Sequence, residues 1–386
     1  MKAGWETKPL GEIIQLEYGK PLDASQRKSD GLYPVYGANG EKDRSDTFFY
    51  DKPSIIVGRK GSAGEVNLTE ARFWPLDVTY FVTFDETRFD LQFLYHLLSH
   101  LELPKLAKGV KPGINRNEVY AIDVATPRLP EQQRIVTILD EAFAGIAMAR
   151  AAAEQNRQNA RAFFESHLQS VFSQRGEGWM EVTVGQLVRD GVIAKPQDGN
   201  HGEIHPTKAD YVEVGIPFLM AADLLGGRVD TKGCRFISEQ QARSLRIGFS
   251  VDQDVLLSHK GTIGRVAILE TDQEFVMLTP QVTYYRVLKK SEISNHYLYF
   301  YFHSPKFRNQ IEHVAGAGST RAYIGITKQL DLKILLPPIA IQQQLAVQLK
   351  ALQDESRHLE SLYMRKLTAL DELKQSLLHQ AFSGNL

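Results

Sequence analysis

The sequence is short of the features that would point to a simple chemical role. Cysteine occurs once, at Cys234, so the chain has no second thiol for an internal disulfide. A lone cysteine fits a reducing compartment, and cytoplasm is the expected location. No apolar run approaches the roughly 18 residues that a membrane span needs, so no membrane partner is expected. The opening residues MKAGWETKPLGE lack the apolar stretch of a secretory signal. Charge of one sign is missing too. With 45 Lys and Arg against 46 Asp and Glu, the net charge is -1. Attraction to nucleic acid would therefore have to come from local basic patches.

Catalytic signatures are equally scarce. The segments GRKGSAGEV (58–66) and SHKGTIGRV (258–266) are rich in glycine but are not P-loops, because Lys60 and Lys260 precede the glycine that a Walker lysine follows. There is no GxGxxG and no HExxH, and the scattered histidines do not form a zinc pattern. His201 and His205 lie four apart in HGEIHP, a loop with Gly and Pro, where metal ligation is not expected. Asp331 and Lys333 resemble a fragment of a nuclease signature of the kind that arises by chance. LPPIA at 336–340 lacks the polar residue and the aromatic of an adenine methyltransferase motif. No catalytic residues, no metal and no cofactor bound by this chain are expected.

What the sequence does contain is itself, twice. Gly4-Trp5 and Gly11 match Gly178-Trp179 and Gly185, 174 positions on. Lys60, Gly61, Gly64 and Val66 match Lys260, Gly261, Gly264 and Val266 at 200, and Val78-Thr79-Tyr80 matches Val282-Thr283-Tyr284 at 204. Pro127, Gln132-Gln133 and Phe172-Ser173 match Pro337, Gln342-Gln343 and Phe382-Ser383, all at 210. Drift in the early offsets marks insertions, which loops tolerate. The constant final offset marks a segment of fixed length. Each repeat thus reads as a variable globular part followed by a spacer: domains at 1–129 and 176–338, spacers at 130–175 and 339–386.

Both spacers lack proline over 131–173 and 341–383 and read as long helices. Leu345, Leu349, Leu352, Ser356, Leu359, Tyr363, Lys366, Leu370, Leu373 and Leu377 alternate at four and three, a heptad seam interrupted at Ser356 and Lys366. The equivalent first-spacer positions run from Ile135 and Leu139 to Asn156, Ala160, Phe163 and His167, with Asn156 and His167 expected as buried hydrogen-bonding residues. Roughly 40 residues would make a rod of about 60 Å. Two such helices pair most simply antiparallel; the alternative is internal helices of a bundle.

The globular parts carry short strand-like runs, PSIIVG and TYFVTF, then DVLLS, RVAIL and QVTYYRV, beside helix-like LQFLYHLLSHL and HYLYFYFHSPKFRNQIEHV. That mixture predicts α+β domains with mixed or antiparallel sheets. YPVYGANG (33–40) reads as a turn-rich stretch. Lys105, Lys108, Lys111 and Arg116 cluster in PKLAKGVKPGINR, and Arg321 and Lys328 occupy the equivalent AGAGSTRAYIGITK. Small residues beside Lys or Arg allow close approach to phosphates. The candidate DNA contacts are these six, together with Lys60, Ser62, Lys260 and Thr262 of the twin turns, each turn expected to join two strands.

The order and duplication of GWETKPLGEII, YPVYGANG, GRKGSAGEV and TPRLPEQQRIVTILD, then GWMEVTVGQLV, SHKGTIGRV, GAGSTRAYIGI and LPPIAIQQQLAVQL, resemble the specificity subunit of type I restriction-modification systems. The resemblance covers essentially the whole chain. It departs at Ile341, where the first repeat has Glu131. It implies a non-catalytic reader of double-stranded DNA. Two target recognition domains would each read half of a split target, separated by two long antiparallel, coiled-coil-like helices in an internal pseudo-twofold repeat. The helices would set the gap and dock two methyltransferase subunits, around Gln132, Gln133, Gln342 and Gln343. Two restriction subunits could join. S-adenosylmethionine, ATP and Mg would belong to those partners. The competing reading is a coiled-coil scaffold whose globular ends bind proteins.

Overall fold

The computed structural model describes residues 4–316 and 323–386. Contacts divide it into two compact units, Met1–Asn156 with Tyr363–Leu386, and Arg157–Leu362. Each contains one α+β domain and a stretch of both long helices.

In the first unit, strands Ile14–Tyr18, Thr79–Phe84, Ser54–Gly58 and Val66–Thr69 form an antiparallel sheet in that order. Ser54–Gly58 is buried throughout, as the apolar run SIIV requires. Tyr33–Gly37 and Gly40–Ser45 make a hairpin, so most of YPVYGANG is strand and only Ala38-Asn39 turns. The helix Leu91–His100 starts at Asp90, whose carboxylate accepts the Phe93 N–H, and packs Phe93, Leu94, Leu97 and Leu98 into the core.

The second unit repeats the scheme with more strands. Val255–Ser258 lies between Val266–Ile268 and Val282–Tyr285. A separate sheet joins Tyr211–Val212, Arg235–Ile237, Ile216–Leu219, Val276–Leu278 and Phe249–Ser250 in that order, and Phe218↔Met277 is a parallel pairing within it. The apolar run 296–314 breaks into two helices, Asn295–His303 and Pro305–Ala315. Pro305 cannot continue the first helix, and Ser304 caps the second by accepting the Phe307 N–H.

In both units the first strand pairs with the last strand before the long helix. Glu6–Pro9 runs antiparallel to Asp123–Thr126, and Met180–Thr183 to Lys333–Leu336. In each copy the ladder thus joins the residues that follow the Gly-Trp match to those that precede the matched proline.

The long helices are Leu129–Ser173, of 45 residues, and Ile339–Phe382, of 44. They pair antiparallel in each unit. In the first, Ile135 and Leu139 share a core with Leu378 and Ala381, and further along Arg150 meets Asp371. In the second, Leu168 and Phe172 share a core with Leu349, and Ser356 Oγ donates to the Ala160 carbonyl at 2.9 Å. That bond explains a hydroxyl on an apolar stripe.

The seam departs from strict heptads. After Ala153 the inward positions are Ala160, Leu168 and Phe172, while Asn156, Phe163 and His167 are exposed. In the other helix Leu378 and Ala381 turn inward, whereas Lys366 and Leu373 are exposed. A nearly straight helix advances about 20° per heptad against a 3.5-residue repeat, so a seam must slip by one residue over such a length. No helix among the described residues is long and apolar enough to cross a membrane.

Candidate nucleic-acid interface

The twin glycine turns each join two antiparallel strands, Ser54–Gly58 to Val66–Thr69 and Val255–Ser258 to Val266–Ile268. Their backbones agree closely. Gly64 N–H donates to the Gly58 carbonyl at 2.7 Å, and Gly264 N–H to the Ser258 carbonyl at 2.9 Å. Gly61 and Gly64 have φ of 83° and 85°, and Gly261 and Gly264 have 76° and 87°. Side chains with a Cβ are disfavoured there, which is why both motifs keep both glycines.

Each turn is paired with the basic loop that the sequence places some 50 to 60 residues later. Gly61 N–H donates to the Pro112 carbonyl at 2.9 Å, Ile114 N–H to the Arg59 carbonyl at 3.1 Å, and Lys108 and Gly113 exchange backbone bonds. In the second copy Ile324 N–H donates to the His259 carbonyl at 3.0 Å, and Lys260 bridges Tyr323. The two sets of candidate residues thus form one turn-and-loop edge per domain.

On the first edge Lys60, Ser62, Lys105, Lys108 and Lys111 are exposed. Lys105 pairs with Glu102, and Lys108 Nζ lies 2.8 Å from Glu118 Oε1. Lys60 and Lys111 have no side-chain ion partner among the described residues. Arg116 is half-buried at the start of the helix Arg116–Tyr120, and its guanidinium lies 5.2 Å from the centre of the Tyr18 ring. Arg59 sits 5.3 Å from the same ring, its Nη2 donating to the Asp77 carbonyl at 2.7 Å. Tyr18 meets Tyr80 edge-on at 5.1 Å. Burial and the Tyr18 hydroxyl push Tyr80 up to about 12, so it stays protonated. Two cations held against an exposed aromatic make an edge that can both attract phosphate and stack.

The second edge differs in side chains. Lys260 and Thr262 are exposed on the turn, and Lys328 is exposed on the short helix Ile326–Gln329. Arg321 lies outside the described residues. Where the first copy has Arg59, the second has His259, fully buried, whose Nδ1 bonds the Ile324 carbonyl at 2.9 Å. Burial drives the His259 pKa down, opposed by that carbonyl and by Asp198. Asp198 in turn bonds His201 Nε2 at 2.9 Å. His259 is therefore a neutral strut under the turn. Gln197 pairs with Tyr284 where Tyr18 pairs with Tyr80, its Oε1 accepting the Tyr284 hydroxyl at 3.0 Å.

Sequence reasoning missed Arg59 and Tyr18. Arg59 was legible as the cation beside Lys60; Tyr18 carried no local signal, because strand pairing alone brings it there. Of the four glutamines around which partner docking is expected, Gln132 and Gln342 turn inward. Both side chains are fully buried. Gln132 Nε2 donates to the carbonyls of Pro127 (2.9 Å) and Arg88 (3.1 Å), and Gln342 Nε2 to those of Pro337 (2.8 Å) and Glu292 (3.0 Å). Their hydrogen bonds are consumed inside the chain, whereas Gln133 and Gln343 are exposed. Among the described residues no three His, Cys, Asp or Glu side chains gather as metal ligands.

A duplicated α+β domain with a basic or polar turn-and-loop edge, followed each time by a long helix, defines a class of chains built from an internal repeat. The family model of the type I restriction modification DNA specificity domain matches residues 2–155 and again residues 201–362. The chain belongs to that family. It is 22% identical to the type I restriction enzyme EcoKI specificity subunit of Escherichia coli K12, across 99% of this chain and 89% of that one. A putative specificity subunit of Haemophilus influenzae is 24% identical across 88% and 85%. The EcoDI specificity subunit of Escherichia coli is 28% identical, but over only 45% of this chain and 38% of its own length. Among solved structures, a chain from work on assembly and conformational transition of the type I R-M system aligns with a TM-score of 0.76 at 16% identity, covering 100% and 99%. The HsdS subunit of Thermoanaerobacter tengcongensis aligns at 0.59 with 17% identity, covering 100% and 98%. Both share the fold.

Proposed function

We propose that the chain is the non-catalytic, sequence-specific DNA-recognition subunit of a type I restriction-modification complex, with each domain reading one half of a bipartite target. One observation carries this reading: the same turn-and-loop backbone occurs twice with different side chains on it. Arg59, Tyr18 and Arg116 meet on one edge, while His259, Gln197 and Tyr284 hold the equivalent places on the other. A common backbone suits a common duplex geometry, and different side chains suit different base sequences. Lys60, Ser62, Lys105, Lys108, Lys111, Lys260, Thr262, Arg321 and Lys328 supply backbone-positioning contacts, and Arg116 works with Tyr18.

The long helices set the separation of the half-sites and dock two methyltransferase subunits, which two restriction subunits join in the cytoplasm. Exposed Met148, Phe163 and Val347 support protein docking on the helices. S-adenosylmethionine, ATP and Mg belong to the partners.

The test is a matched insertion of seven residues near positions 150 and 367, co-expressed with methyltransferase subunits. Seven helical residues add about 10 Å, or roughly 3 bp. Methylome sequencing should show the gap lengthened and both half-sequences unchanged. An unchanged gap refutes the spacing role. Absence of sequence-selective duplex binding with methyltransferase bound refutes DNA reading and favours the scaffold.

A further inference from the structure

Within the second unit, the hairpin Leu224–Leu225 to Arg228–Val229 turns through Gly226 and Gly227 and lies against the second long helix. A Cβ on Gly227 would stand 1.9 Å from the Tyr299 hydroxyl and 3.1 Å from Arg357 Nη2, so the contact tolerates only glycine. A cleft of about 910 Å³ lies between this hairpin, both long helices and the helix Pro305–Ala315.

Four guanidinium groups line the cleft, those of Arg161, Arg265, Arg308 and Arg357, against two carboxylates, Glu165 and Glu360. Glu165 pairs with Arg161 at 3.1 Å. Arg265 and Arg357 are held differently. Arg265 Nη1 donates to the Ala221 carbonyl at 3.0 Å, and Arg357 Nη2 donates to the Gly226 carbonyl. Carbonyl oxygens fix a guanidinium in place without cancelling its charge. The exposed Arg308 side chain has no hydrogen-bond or ion partner among the described residues. Nearby His303 responds to this field. Burial first, then the charges of Arg308 and Arg357, lower its pKa to about 4, while its Nδ1 bonds the Tyr299 carbonyl.

The internal repeat supplies a control. At the offsets that align the copies, Glu65 stands for Arg265, Pro104 for Arg308, Ala147 for Arg357 and Asp371 for Arg161. A charge needed by the shared fold would be present in both copies. Here it is present in one.

We infer that this cleft is an oligophosphate-binding site, in which Arg265, Arg308 and Arg357 engage phosphate oxygens. Guanidinium forks match phosphate geometry, and donors already fixed in position lose little freedom on binding. A nucleic-acid backbone and a free polyphosphate present the same chemistry. The site rests on the second unit's own charges, not on the reading of DNA by the turn-and-loop edges.

Calorimetric titration of the full chain with tripolyphosphate at low salt tests the site. Saturable binding is expected, weakened at least tenfold in Arg308→Glu and in Arg265→Gln and unchanged in Lys290→Ala, an exposed lysine outside the cleft. Arg308→Glu should keep the wild-type melting temperature, because the Arg308 side chain bonds nothing among the described residues. A competition with duplex lacking any recognised sequence then separates the sources. If tripolyphosphate displaces the duplex and Arg308→Glu weakens it, the site takes the DNA backbone; if tripolyphosphate binds but does neither, the site takes a free polyphosphate. No saturable binding, or equal binding by both cleft variants and the wild type, overturns the proposal. Loss of sequence-selective binding with tripolyphosphate binding intact would strike only the DNA-reading function.

Discussion

The side-chain carbonyl of Gln132 accepts the backbone N–H of Asp90 at 2.9 Å. Asp90 caps the helix Leu91–His100, and Gln132 sits in the first turn of the long helix Leu129–Ser173. The second copy repeats the bond, Gln342 Oε1 accepting the N–H of Ser294, which caps Asn295–His303, at 3.0 Å. One buried amide thus ties each long helix to the domain before it.

Removing that tie should be costly. Gln132→Ala or Gln342→Ala leaves a backbone N–H and two carbonyls without their partner, and the expected destabilisation is about 2–4 kcal/mol. Gln133→Ala, at an exposed position, should cost under about 0.5 kcal/mol. Urea denaturation of the three variants checks the contrast; equal midpoints for Gln132→Ala and Gln133→Ala would contradict it.

The twin turns should respond unequally to the same substitution. Gly264→Ala meets only the flexible Ile311 Cδ1 at 3.2 Å, so the cost is backbone strain of about 1–2 kcal/mol. At Gly64 the new Cβ also lands 2.3 Å from Pro104 N, and the total should reach about 3 kcal/mol or more. Thermal melts should place Gly64→Ala well below Gly264→Ala.

Lys108 is held by Glu118, whereas Lys60 has no ion partner among the described residues. Glu118→Gln should release Lys108 and strengthen non-specific duplex binding about two- to fivefold at low salt, an advantage that fades as salt rises. Lys60→Ala should lower the slope of log affinity against log salt by about 1. Fluorescence anisotropy across a salt series measures both, and an unchanged slope would remove Lys60 from the phosphate contacts.

Acid should loosen the second domain through His303. Its folded pKa, about 4, lies below the unfolded value of 6.5. Below pH 6.5 the unfolded chain takes up a proton that the folded chain refuses, so stability falls with pH until about 4. The loss is about 1.4 kcal/mol per pH unit, on the order of 3 kcal/mol in all. His303→Asn, whose amide can replace the Nδ1 donor to Tyr299, should show a flatter decline between pH 6.5 and 4.5 in chemical denaturation. A decline as steep as the wild type's would exclude His303 as its source.

Duplication, helix length and strand content were legible from residue order alone, because they depend on local period and on self-match. The pairing of Glu6–Pro9 with Asp123–Thr126 and of Met180–Thr183 with Lys333–Leu336 was not legible, because a short strand whose partner lies over 100 residues away has no local signal. The seam was legible only in part. A heptad template extended over some 40 residues accumulates rotation, so it puts Phe163 and His167 inward, where the helix turns Leu168 and Phe172.

The sequence by itself determined that two related domains are each followed by a long helix, and that a glycine-lysine turn recurs in both. Only the tertiary structure decided what those turns face. Backbone pairing sets Lys60 against Gly113 and Lys260 against Tyr323, and strand register carries Tyr18 between Arg59 and Arg116. The structure alone also separated Gln132, consumed inside, from Gln133, exposed beside it. The reason is physical: periodicity is encoded along the chain, whereas burial and charge pairing depend on residues far apart in sequence that only the fold brings together.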